Sequence, residues 1–410
     1  MRGLTDAVHT VLGRRLREES PAPLAIGLSG GGDSVALTLM AADWAKARGR
    51  RLIVLSVDHG LRPESRAWTQ ACADLAARLA LEFHALRWEG DKPASGLPAA
   101  ARAARHRLLA NACREAGARV LLLGHTASDL REATVMRAGG STTPSPREWS
   151  PSPAWPEGRG LFVLRPMLGL GRAELRAWLA GRSETWIEDP ANDDLRFARA
   201  RARRSGDGGS AEPPSIPPAL ADLARSVEMD RAGALSIPRA LLAGDEARPL
   251  IASACLCAAG TATPPRGDRL ERLAELLKGQ APTVATLAGA RIEADPHTVR
   301  FMREPGEIAR HGLALLRLEA GGTGVWDGRY EIACNRGLVV QALAGYAARL
   351  PVAQREALKP IPAHARGGLP VVLEEGLATC PLLGPMDGVS IRPLAQERLL
   401  AACGTVGREP

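Results

Sequence analysis

Apolar positions in the first half of the chain fall in short unbroken runs rather than in alternation. Leu24 to Leu28, Leu52 to Val57 and Val120 to Leu123 are of this kind, the pattern of strands covered on both faces in a parallel sheet. Between them, Ser34 to Arg48, Glu64 to Leu79 and Pro98 to Gly117 carry apolar residues at helical spacing. Strand and helix therefore alternate, and the expected class is α/β with a doubly wound parallel sheet.

The pattern then breaks twice. Ser141 to Gly160 turns to Ser, Pro, Gly and Trp, a composition that predicts a long exposed loop and makes it a candidate lid. Ser205 to Pro218 has linker composition. Beyond it, Leu220 to Met229 and Arg269 to Leu277 are helical in pattern, and shorter segments punctuated by Gly and Pro follow. The expected organisation is a catalytic domain over residues 1–204, a linker over 205–218, a mainly helical domain over 219–320 and a small C-terminal region over 321–410. No internal repeat is present.

Composition narrows the class. With 410 residues and 45% hydrophobic content, the chain has enough apolar material for two or three domain-sized cores. No run approaches the ~18 apolar residues of a membrane span, and Met1 to Thr10 lacks a signal-peptide core, so a cytoplasmic protein with no membrane partner is expected. The net charge of +8 comes from arginine, because lysine occurs only at Lys46, Lys92, Lys278 and Lys359. Arginine in excess suits bidentate contact with RNA phosphates; a genome rich in arginine codons yields the same excess. Seven cysteines without a C-x-x-C pair fit free thiols rather than a disulfide framework or a zinc knuckle.

The chemistry concentrates after the first strand, at Ser29-Gly30-Gly31-Gly32-Asp33-Ser34. Consecutive glycines let the backbone turn tightly and present its amides, and the helix that follows directs its positive end at an anion. The segment lacks the terminal Gly-Lys of a P-loop and the spacing of a dinucleotide fingerprint. Taken alone it also fits an ordinary Gly-rich strand-to-helix turn capped by Asp or Ser. Asp58 and His59 end the second strand, at the sheet edge where ligands bind in open α/β folds, and equally suit a plain turn. Arg102 and Arg105 lie three apart on one helix face, as a pair aimed at an anion or as two solvated arginines. Arg196, Arg199 and Arg203 would form one stripe if helical, able to track an RNA backbone or simply to face water. Trp186 reads as a packing anchor.

The Ser-Gly-Gly-x-Asp-Ser loop resembles that of the PP-loop ATP pyrophosphatases, and other segments narrow the likeness to the tRNA(Ile)-lysidine synthase family. These are Asp58 to Ser65, Gly96-Leu97 leading to Ala101-Arg102-Ala103-Ala104-Arg105-His106, Arg165-Pro166-Met167-Leu168 with Arg172 and Leu175, and Trp186-Ile187-Glu188-Asp189-Pro190-Ala191-Asn192 with its trailing arginines. Gly124-His125-Thr126-Ala127-Ser128-Asp129-Leu130-Arg131-Glu132 keeps His125, Asp129 and Glu132 of a further family motif, while Thr126, Ser128, Leu130 and Ala133 depart from it. His106 stands where the family carries tyrosine. A weaker likeness to the family's second, tRNA-contacting domain continues through Thr286 to Gly289 and Arg303-Glu304.

The resemblance implies a Rossmann-like PP-loop fold and an ATP-dependent ligase. Its partners would be L-lysine and a tRNA(Ile) with a CAU anticodon, and the lysine ε-nitrogen would replace O2 of the wobble cytidine after adenylation. It assigns Ser29, Gly30, Gly31, Gly32, Asp33, Ser34, Asp58 and His59 to ATP, and Asp33 and Asp129 to Mg2+. Arg102, Arg105, Arg196, Arg199 and Arg203 would meet tRNA or phosphate. Neutral lysine must be generated from a group whose free pKa is about 10.4, with Asp129 and His125 as candidates for removing the proton. Two other readings use the same residues: a cytidine thiolase, which usually carries the C-x-x-C pair absent here, and a catalytically impaired tRNA-binding protein.

Overall fold

The computed structural model describes residues 2–139, 145–188, 213–306, 310, 312–374 and 376–410. The chain divides into two compact units, residues 1–215 with 406–410, and residues 216–405.

The first unit runs α1 (Arg2–Arg15), β1 (Leu24–Gly27), α2 (Gly32–Lys46), β2 (Leu52–Asp58), α3 (Ser65–Arg78), β3 (Glu82–Arg87), α4 (Leu97–Glu115), β4 (Val120–Leu123), α5 (Ala127–Ala138), β5 (Trp149–Pro151), β6 (Phe162–Leu164) and α6 (Arg172–Ala180). Its six strands form one sheet in the order β3-β2-β1-β4-β6-β5. All neighbours are parallel except β5, which pairs antiparallel with β6. Successive residues of β1 and β4 are buried, so both faces are covered and the strands read as continuous apolar runs. On one face Ala25, Ile53, Leu55, Leu121 and Val163 pack with Leu109, Ala110 and Cys113 of α4.

Three differences from the sequence reading have local causes. β3 was not anticipated because it is an edge strand with Glu82, Leu86 and Arg87 variously exposed, so its apolar run is interrupted. The stretch read as an irregular loop contains β5, which Trp149 anchors by stacking on Phe162 with ring centroids 5.0 Å apart. Pro151 is tolerated there because an edge strand can leave one side unpaired; residues 141–144 lie outside the described residues. The last five residues, grouped by sequence with the C-terminal region, pack in the first unit. Arg50 and Glu409, 6% and 2% exposed, pair there at 2.8 Å, and the Arg17 amide donates to the same carboxylate at 2.8 Å.

The domain expected to be mainly helical over 219–320 is instead mixed: helices are present at Pro218–Arg225, Ala247–Ala259 and Gly267–Lys278, and the helical pattern read to Met229 stops at Arg225 because Glu228 and Met229 pair as a strand with Ser236 and Leu235. The helices share a core with a five-stranded sheet in the order β7-β8-β11-β10-β9, spanning Glu228–Met229, Leu235–Pro238, Thr298–Arg303, Ala290–Ala294 and Thr283–Leu287 respectively. Short strands broken by tight turns gave that sheet no long pattern to read. A second core, centred on Trp326, Tyr330 and Val340, is built from a four-stranded and a three-stranded sheet, and Ala395, Leu399 and Cys403 return to the first core.

Candidate active site

In the strand order of the first unit, β1 stands between β2 and β4, so the chain leaves β1 and β4 at the point where the sheet reverses its winding. Open α/β sheets present their ligand crevice at the carboxyl ends of such strands. The loop after β1 is Leu28 to Gly31 and the loop after β4 is Gly124 to Thr126.

The first loop is held in shape by its own serines. Ser34 Oγ accepts from the Ser29 amide at 3.2 Å and donates to the Gly31 carbonyl at 2.8 Å. Gly30 has φ +82°, a left-handed conformation that side chains resist, and a Cβ there would fall 2.3 Å from Ile187 Cδ1. The Ile187 amide donates to the Gly30 carbonyl at 2.9 Å, and the Trp186 ring lies 3.4 Å from where a Gly32 Cβ would stand. Trp186 is thus a packing anchor against the start of α2, with its Nε1 donating to Glu188 at 2.7 Å. The loop leads directly into the N-terminus of α2, the place for which the sequence predicts an anion cradle.

Asp33, in the first turn of α2, accepts from Arg172 Nε at 2.9 Å. Burial raises the pKa of its carboxyl above the usual value, Asp129 adds to this, and Arg172 opposes it. Asp129 closes a capping box at the start of α5, taking the Thr126 amide on Oδ2 at 2.9 Å. Asp129 therefore caps α5 and also stands near enough to Asp33 to act on its carboxyl. Although burial works against its charge, Arg172 is raised in pKa by Asp33, Asp129 and the buried Glu132, so these three carboxylates share one guanidinium. Among the described residues no three His, Cys, Asp or Glu side chains gather closely enough to hold a metal ion.

A second group is cationic, and Asp129 lies near enough to act on its Arg165. Arg165, only 5% exposed, donates Nε to His125 Nδ1 at 3.2 Å and Nη1 to the Arg147 carbonyl and Ser150 Oγ at 2.8 and 3.0 Å. Burial pushes its pKa down to about 9, and Arg102 and Arg105 push in the same direction. Arg102 and Arg105 are half-buried, and part of each guanidinium is shut off from solvent, so neither is an ordinary solvated helix arginine. His106 lies buried among them. Burial, then Arg105, Arg102 and Arg165, lower its pKa to about 2, and it stays neutral.

At the end of β2, Asp58 Oδ1 accepts from the Gly60 amide at 2.7 Å, the turn geometry that its position allowed. His59 meets Trp88 edge-on, its Nδ1 is buried without a hydrogen-bond partner, and burial followed by Arg105 lowers its pKa. The influence of Arg105 on both His59 and His106 ties the end of β2 to the cationic cluster.

Structure thus gathers Asp33, Asp129, Glu132 and Arg172 into one charged group and Arg102, Arg105, His106, His125 and Arg165 into another. Arg165 and Arg172 carry no role by sequence, because their partners His125 and Asp33 lie 40 and 139 positions away. Arg196, Arg199 and Arg203 lie outside the described residues.

A family model described as a PP-loop domain matches residues 5–205. Over 98% of its length the chain is 49% identical to tRNA(Ile)-lysidine synthase of Caulobacter vibrioides, covering 98% of that protein. It is 39% identical to the enzyme of the same name from Hyphomonas neptunium, over 66% of this chain and 79% of that protein. The counterpart from a Bradyrhizobium species is 34% identical over 84% of this chain and 90% of that protein. With near-complete coverage at this identity and a PP-loop in which the geometry requires Gly30, the chain belongs to the tRNA(Ile)-lysidine synthase family.

Proposed function

We propose that this chain joins L-lysine to C2 of the wobble cytidine in a tRNA(Ile) with a CAU anticodon, converting ATP to AMP and pyrophosphate. The observation that carries the reading is a glycine loop at the sheet's switch point, with an acidic group paired to Arg172 and a cationic group around Arg165 in the same unit. Lysine is a cation and the other two substrates are polyanions, so both signs of charge have work at one edge.

Oxide is a very poor leaving group, so O2 of the cytidine attacks the α-phosphorus of ATP and pyrophosphate departs. The amides of residues 30–32 and the N-terminus of α2 hold the phosphates, and the Arg102 and Arg105 pair stabilises negative charge on them or on the tRNA backbone. Neutral lysine Nε then attacks C2, the C2–O bond breaks, AMP leaves and the amine proton passes to a base. The carboxylates around Arg172 attract the lysine ammonium before that step. Asp33 and Asp129, which here meet Arg172 and the Thr126 amide, would hold a Mg2+ ion, which needs only one or two carboxylates when phosphates and waters complete its shell and would supply charge neutralisation at the phosphates. Asp58 and His59 border the nucleotide, and Arg196, Arg199 and Arg203 extend the tRNA contact.

Thiolation is disfavoured by the cysteines. All seven are buried, and burial raises Cys113, Cys255 and Cys257 to about 12. No helix among the described residues is long and apolar enough to cross a membrane, and a cytoplasmic enzyme is the reading that fits a tRNA substrate.

Incubation with ATP labelled in its α-phosphate and the CAU tRNA, lysine withheld, tests the reading. Label on the tRNA, chased to AMP by lysine, is expected. Tight tRNA binding with no ATP consumed would make the chain a binding protein instead.

A further inference from the structure

We propose that Arg165 is a positioning residue that fixes His125 as the neutral tautomer with its ring proton on Nε2, making His125 a hydrogen-bond donor to substrate oxygen rather than a base. The inference deepens the ligase reading and rests on it for the identity of that oxygen.

The argument is one of donors and acceptors. A guanidinium has N–H groups and no acceptor, so the Nε of Arg165 at 3.2 Å from His125 Nδ1 requires a lone pair on Nδ1. Arg165 cannot turn away, because Nη1 is held by the Arg147 carbonyl and Ser150 Oγ. It cannot supply a proton outright at neutral pH, since an arginine so placed remains charged. The proton of the ring is then on Nε2, as second partners of histidine commonly determine. The charged groups around this pair are Arg102 and Arg105 on α4, beside His106, and Asp129 of α5, the carboxylate whose charge Arg165 feels. A base would use the lone pair of Nδ1, which is occupied. A donor at Nε2 suits a site where negative charge develops on phosphate oxygens. On this proposal the lysine proton passes to a group other than His125, of which Asp129 is the remaining candidate.

Long-range proton–nitrogen correlation spectra of the full chain labelled at histidine nitrogen read the tautomer directly, with His125 assigned by loss of its signals in His125→Gln. Nδ1 unprotonated and Nε2 protonated, without any substrate present, is the expected result. A protonated Nδ1 in the wild-type chain would overturn the proposal. Kinetics give a second readout: glutamine can donate but cannot accept a proton. ATP-dependent incorporation of lysine into the tRNA by His125→Gln should remain within about tenfold of wild type, while His125→Ala falls about 100-fold or more. Equal loss in both variants, each shown to be folded, would restore the base role and overturn the donor role. Because the spectra need no substrate, failure of the wild-type chain to adenylate tRNA would count against the ligase reading and leave the tautomer result standing.

Discussion

Gly124 abuts Asp33: a Cβ built at Gly124 would stand 3.0 Å from the Asp33 carbonyl oxygen and 3.1 Å from Ser34 Cα. The loop after β4 thus reaches the start of α2 only because residue 124 has no side chain, and this approach brings His125 and Asp129 to the glycine loop. Gly124→Ala must separate two backbones, at about 1–3 kcal/mol as for other overpacked sites. Its adenylation rate should fall while tRNA affinity is kept, which paired rate and binding measurements will show.

Gly30 faces a double constraint, its φ of +82° and the Ile187 side chain at 2.3 Å from a hypothetical Cβ. Gly30→Ala should therefore weaken ATP binding, and Ile187→Ala in the same chain should recover part of the loss by removing the clash but not the backbone strain. Nucleotide affinities of the two single variants and the double variant test this, and full recovery would mean that φ is unimportant there.

His106 links the cationic cluster to stability. Its folded pKa is about 2, against about 6.5 for a free histidine. Below pH 6.5 the unfolded chain binds a proton that the folded chain refuses, so stability falls toward acid by about 1.4 kcal/mol per pH unit from this residue. Above pH 6.5 both states are neutral and the contribution vanishes. His106→Tyr, the family's own choice, should flatten the loss between pH 6.5 and 5.5 in urea unfolding, and an unchanged slope would place the proton elsewhere.

The buried Arg50 and Glu409 pair predicts an asymmetry. Glu409→Ala leaves Arg50 charged and without its carboxylate, which costs about 3–5 kcal/mol for a pair of this kind, whereas replacing both residues by apolar ones of similar size costs far less. Thermal unfolding of the single and double variants separates the two cases.

How much of this was legible in sequence depends on the range of the signal. β1, β2 and β4 were readable because burial on both faces writes unbroken apolar runs, and α2, α3 and α4 because their periodicity is local. β3 and β5 were not, since edge strands expose part of their length, and the second unit's sheet is made of strands of two to six residues. Within the site, the glycine loop and Asp33 announced themselves by local chemistry. Arg172, 139 positions from Asp33, and Arg165, 40 positions from His125, carry no local sign of their partners. Asp129 was legible as a site residue through the family motif alone; its use as the cap of α5 came from the structure, which keeps the same carboxylate close enough to Asp33 to raise its pKa.

The most direct measurement of the central claim is incorporation of labelled lysine into purified tRNA(Ile) bearing the CAU anticodon, with ATP and Mg2+, beside an Asp33→Ala control. The account predicts acid-stable label in the tRNA, one lysine for each AMP released, and none in the control. ATP cleaved to AMP at the wild-type rate with no lysine in the tRNA would contradict it and assign the glycine loop to a different nucleophile.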